Sequence, residues 1–122
     1  MAAKDLRAME ILARADPIPV EACGFHAQQA VEKALKAWLV LLGQEPPRIH
    51  SLRILIRQLE TLGVEGESLW DFVDLSPFAV QFRYESLGGL DTGLDIADWL
   101  GRVRELVAQV EAVQVGLMEN GK

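Results

Sequence analysis

The chain has 122 residues, half of them hydrophobic, which suits one domain with a core of its own, spanning 1–122. Its formal net charge of −6 and pI of about 4.8 exclude non-specific binding to duplex nucleic acid, which needs a broad basic surface. The lone cysteine, Cys23, excludes an internal disulfide.

The first predicted helix runs from about Ala3 to Ala15, with Leu6, Met9, Leu12 and Ala13 as its inner stripe. Lys4, Asp5, Arg7, Glu10 and Arg14 interrupt its apolar positions, so this stretch reads as neither a signal peptide nor a membrane span. The longest uncharged apolar run, Ala37 to Gly43, is too short to cross a bilayer, and a cytoplasmic protein is expected. Asp16-Pro17-Ile18-Pro19 ends the first helix, because proline cannot continue the hydrogen-bond ladder.

A second helix follows over about Val20 to Leu42. Cys23, Ala27, Ala30, Val31, Ala34, Trp38 and Leu42 form its buried stripe, and Glu32 and Lys36 make a favourable i,i+4 pair. Gly43 is a natural C-cap, and Pro46-Pro47 lie in the loop beyond it. The third helix spans about Ser51 to Leu62, opened by Ser51 or His50, with Leu52, Leu55, Ile56, Leu59 and Leu62 at helical spacing. Gly63 to Glu67 reads as a turn.

Ser68 and Asp71 resemble a capping pair, which predicts a short helix over about 68–75. Ser76-Pro77 looks like an N-cap followed by proline at the first helical position, which predicts another over about 77–85. Ser86 to Gly93 is a glycine-rich loop. The last helix covers about Thr92 to Met118, where Ile96, Val103, Val110 and Leu117 repeat every seven residues and Trp99, Leu106 and Val113 fill the intervening positions. Leu100 and Val107 widen that stripe, which favours a bundle over a free coiled coil. No stretch alternates with period two for long enough to be a strand, so the fold class is all-α.

The second helix also carries a polar row. His26, Gln29, Lys33 and Lys36 are spaced three, four and three residues apart, on one face. Lysines supply point charges while Gln and His supply directional donors, a set suited to the phosphates of a nucleotide or the backbone of a short RNA. A solvated face, or a dimer interface with buried amides, explains the same row. Arg48 and His50 flank the start of the third helix, where free backbone N–H groups favour anions; a plain helix-capping histidine is the alternative. Arg83 and Tyr84 offer a guanidinium fork and a stacking ring, or else an ion pair to Glu85 or Asp74 and a half-buried ring.

Cys23 reads as a buried thiol, three residues before His26. Trp38, Trp70 and Trp99 read as core or interface anchors, and the apolar 72–82 segment as part of a dimer surface. With two histidines and one cysteine, no metal-ligand spacing is visible. Gly88-Gly89 lacks the lysine and serine or threonine of a phosphate-binding loop, no nucleotidyltransferase acid pair follows a Gly-Ser turn, and no cofactor is expected.

The run QQAVEKALKAWL at Gln28 to Leu39 resembles the signature of HEPN (higher eukaryotes and prokaryotes nucleotide-binding) domains. His50-Ser51-Leu52 matches the His, polar residue and Leu that open the next helix in that family, and Arg83-Tyr84 matches its late Arg-Tyr pair. The resemblance implies an up-and-down bundle of four to five helices, usually dimeric. Bacterial and archaeal members are often encoded beside a minimal nucleotidyltransferase and are thought to work with it. Some members are metal-independent RNases that use an Arg followed, after four to six residues, by a His. This sequence departs from that pattern: neither His26 nor His50 has an Arg at that distance, and Arg48-Ile49-His50 leaves a gap of one.

The resemblance therefore implies a small nucleotide-binding and interaction module. It would pair with itself and with a minimal nucleotidyltransferase, in a toxin–antitoxin-like pair, without catalytic residues of its own. The alternative is an RNase toxin with an atypical centre, built from Arg48 or Arg83 with His50 or His26.

Overall fold

The computed structural model describes residues 2–15, 19–78 and 96–120. Its elements are α1 (Ala2–Leu12), α2 (Val20–Leu41), α3 (Leu52–Thr61), a 3-10 segment (Glu67–Phe78) and α4 (Ile96–Asn120). No strand occurs among the described residues, and the fold is all-α. No helix among them is long and apolar enough to cross a membrane.

α2 is the central post. α1, α3, the 3-10 segment and α4 all pack against it; α1 also meets α4, and α3 meets the 3-10 segment. Five alanines support its 22-residue length, since alanine is the best helix former. Three of them, Ala27, Ala30 and Ala34, are fully or almost fully buried beside Cys23, Val31, Leu35, Trp38 and Leu39. Small residues on a central helix let its neighbours approach closely. Each buried Leu or Val then contributes about 1.5–3 kcal/mol of transfer free energy.

Two glycines end helices: Gly43, the expected C-cap, and Gly63, expected only as the start of a turn. After α2, Gly43 has φ +83°, its N–H bonds to Val40 O at 2.9 Å, and the Gln44 N–H bonds to Leu39 O at 2.9 Å. After α3, Gly63 has φ +95° and bonds to Glu60 O, while the Val64 N–H bonds to Leu59 O. Both are Schellman closures, which need a left-handed residue and so favour glycine. Ser51 is the N-cap of α3, its Oγ accepting from Ile54 N at 3.3 Å. α1 stops at Leu12, three residues before its expected end, and passes into a turn.

The short helix expected over 68–75 is present as a 3-10 helix and not an α-helix, while the second, expected over 77–85, lies outside the described residues from 79 on. One continuous 3-10 segment runs from Glu67 through Ser76 and Pro77 to Phe78, so no break falls at Ser76-Pro77 and Ser68 lies inside the element rather than capping it. Leu69, Phe72 and Leu75 are all buried and recur every three residues. Three residues per turn places them on a single face, whereas an α-helix would wind them apart. Asp71 is not a capping partner either; it accepts from Arg102 of α4 at 3.1 Å. Residues 79–95 lie outside the described set, and with them the expected helix end at 85, the glycine-rich loop and the start of the last helix.

α4 buries Ile96, Val103, Leu106, Val107 and Val110, as its heptads predict. The stripe then leaves the core. Val113 is only partly buried, and Val115 and Leu117 are exposed. Arg104 ties α4 to α1 through two bonds to Glu10 Oε2, at 2.9 and 2.7 Å.

Candidate functional site

The polar row on α2 is real, but its members are already engaged. Asp5, one turn into α1, points at α2 and is almost buried. Its Oδ1 meets His26 Nδ1 at 3.1 Å and its Oδ2 meets Lys33 Nζ at 2.5 Å. The two α2 donors nearest α1 are thus drawn onto one carboxylate.

The other two members belong to a second group. Glu32 is 4% exposed, which makes it one of the deepest charged side chains described. Its Oε1 accepts from Gln28 Nε2 at 3.2 Å, and Gln28, itself fully buried, accepts from Gln29 Nε2 at 2.8 Å. Its Oε2 accepts from Lys36 Nζ at 3.1 Å and meets His50 Nδ1 at 2.8 Å. A carboxylate removed from water needs this many donors. Among the described residues, every buried side-chain nitrogen and oxygen has a partner.

Burial pushes the Glu32 carboxyl up. The hydrogen bonds from His50, Gln28 and Lys36, with the charge of Lys36, outweigh it and hold the group below its ordinary value. Glu32 is therefore ionised at neutral pH and can only accept. That places the shared proton on His50 Nδ1 and leaves Nε2 as the free ring nitrogen. Lys36 spends one of its three N–H groups on Glu32. At Cys23, burial pushes the thiol up, which removes it as a neutral-pH nucleophile.

The eight expected site residues therefore divide. Lys36 and His50 are brought together on one oxygen, with Arg48 exposed two residues before His50. His26 and Lys33 form a separate group with Asp5, and Gln29 backs Gln28. Arg83 and Tyr84 lie outside the described residues. Asp5 and Gln28 were missed by the sequence reading. Gln28 had a signal, since it sits beside Ala27 and Val31 on the apolar side, where a polar residue needs a partner at i+4.

Arginines 53 and 57 lie exposed on one side of α3, beyond His50. A cleft of about 200 Å³ lies between α1, α2 and α4, floored by Ala34, Ala37, Val107 and Val110 with Lys33 at its rim. That is below the roughly 300 Å³ at which small-molecule pockets begin. Among the described residues no group of three His, Cys, Asp or Glu could hold a metal ion.

No curated protein and no solved structure matches the chain. A family model, that of the HEPN domain, matches residues 1–113. With nearly the whole length covered, the chain belongs to the HEPN domain family of helical nucleotide-interaction modules.

Proposed function

We propose that the chain is a non-catalytic partner subunit that takes a nucleotide phosphate at the shoulder formed by Lys36, His50 and Arg48. One observation carries this reading: Lys36 and His50 share Glu32 Oε2, which holds two donors side by side at the surface end of a buried carboxylate. Lys36 keeps N–H groups for an outside oxyanion, His50 Nε2 becomes a donor once protonated, and Arg48 adds an exposed guanidinium. In this reading His26, Gln29 and Lys33 support the bundle. The subunit works as a homodimer and docks a minimal nucleotidyltransferase in a toxin–antitoxin-like pair. Family membership supports that partner class, and the exposed Val115 and Leu117 on α4 support self-association.

The test is to add ATP to the isotope-labelled chain and follow the backbone and side-chain resonances. Shifts should cluster at Lys36, Arg48 and His50. Shifts confined to other positions, or none at millimolar ATP, would overturn the reading.

The Glu32–His50 contact also favours a second reading, since a carboxylate-held imidazole is a competent acid–base group. An RNase centred on His50 and Arg48 would use it. Against this stands the gap of one residue between Arg48 and His50, where family RNases have four to six. Incubation of single-stranded RNA with the purified chain should give no cleavage. Cleavage lost in His50→Ala would establish the RNase instead.

A further inference from the structure

The donors around Glu32 are arranged unequally. The Glu32 side chain is 5% exposed, while that of His50, bonded to it at 2.8 Å, is 77% exposed. One ring nitrogen of His50 is thus tied to a buried anion and the other faces water. We propose that Glu32 is a positioning residue, and that it makes His50 the proton-operated gate of an anion site shared with Lys36. This rests on the phosphate reading above and adds its regulation.

The charge count gives the mechanism. With His50 neutral, Glu32 and Lys36 cancel, Arg48 leaves the shoulder one net positive charge, and an incoming oxyanion meets the Nε2 lone pair. A proton on Nε2 adds one positive charge and turns that nitrogen from acceptor to donor. Glu32 cannot itself take the proton near neutrality, since it is held ionised by its donors.

Asp5 holds a second His–Lys pair, so the His50→Gln variant is what assigns a pH dependence to the Glu32 group. His26 and Lys33 of α2 are held by Asp5 of α1, and Glu10 of α1 by Arg104 of α4. Asp71 of the 3-10 segment is held by Arg102 of α4, while Glu67 and Asp74 of that segment are exposed. Arg53 and Arg57 of α3 and Arg48 before it are exposed.

The test uses the full chain as wild type, Glu32→Gln and His50→Gln, with a short oligothymidylate as probe. Its phosphodiesters keep one charge each across the range studied, so any pH dependence belongs to the protein. Wild type should bind about tenfold more tightly at about pH 5.5 than at about pH 8, and His50→Gln should lose that difference. Nitrogen chemical shifts should place the neutral His50 proton on Nδ1 in wild type and move it toward Nε2 in Glu32→Gln. A flat wild-type profile, or an unchanged tautomer in Glu32→Gln, overturns the proposal. Absence of binding at both pH values overturns the phosphate reading and the gate with it. The tautomer then shows separately whether Glu32 positions His50. Should Glu32→Gln fail to fold, the exposed His50→Gln substitution still decides through the pH profile.

Discussion

Asp5 and Lys33 lie 28 positions apart in the chain and close an ion pair of 2.5 Å between α1 and α2. His26 occupies the other oxygen of the same carboxylate. The pair is a strut between the two helices.

Asp5→Ala should therefore destabilise the bundle. It leaves Lys33 and His26 without their anion and weakens the docking of α1. A loss of about 1–3 kcal/mol is expected, because Asp5 retains some solvent access. Urea unfolding should show a lower midpoint with an unchanged slope. A change below about 0.5 kcal/mol would place the strut among ordinary surface pairs.

Glu32 should shape the acid limb of stability. Its folded-state pKa is lowered, so its contribution is full above the ordinary carboxylate range and is lost as pH falls through the lowered folded value. Glu32→Gln should be less stable at neutral pH by about 1–3 kcal/mol and should decline less between about pH 5 and pH 2. Parallel acid limbs in the two proteins would contradict this.

Cys23 is fully buried, and burial pushes its thiol up. A thiol-specific reagent at neutral pH should label the folded chain only as fast as it opens, and should label it at once in urea. Immediate labelling of the folded chain would remove Cys23 from the core.

Most of the bundle was legible in the sequence because its signals are local. Gly43 supplies a left-handed cap, Gly63 opens the expected turn, Ser51 is the N-cap, and α2 has its small-residue stripe. The 3-10 character of 67–78 was not legible, because the three-residue repeat of Leu69, Phe72 and Leu75 is easily taken for half an α-helical stripe. The row on α2 was legible as spacing, but not its pairing. Asp5 reaches it from another helix and His50 from a loop, and no local pattern announces contacts 21 or 18 residues apart in sequence.

Self-association should follow from α4. Its heptad stripe continues past Val110 into a partly covered Val113 and an exposed Leu117, more apolar surface than the described bundle covers. Light scattering at micromolar concentration should give about twice the 13.5 kDa chain mass, and Leu117→Glu should reduce it. A wild-type monomer would contradict the homodimer.

In the proposed site the Lys36–His50 end of α2, and not the Asp5 end, holds phosphate. Calorimetric titration of ATP into wild type, Lys36→Ala with His50→Ala, and Lys33→Ala separates the two ends. Wild type should bind weakly, in the micromolar to millimolar range, and less well as salt rises. The double variant should lose at least about tenfold in affinity, while Lys33→Ala, though less stable, should stay within about twofold of wild type. Equal affinity in wild type and the double variant, or a loss confined to Lys33→Ala, would contradict the account.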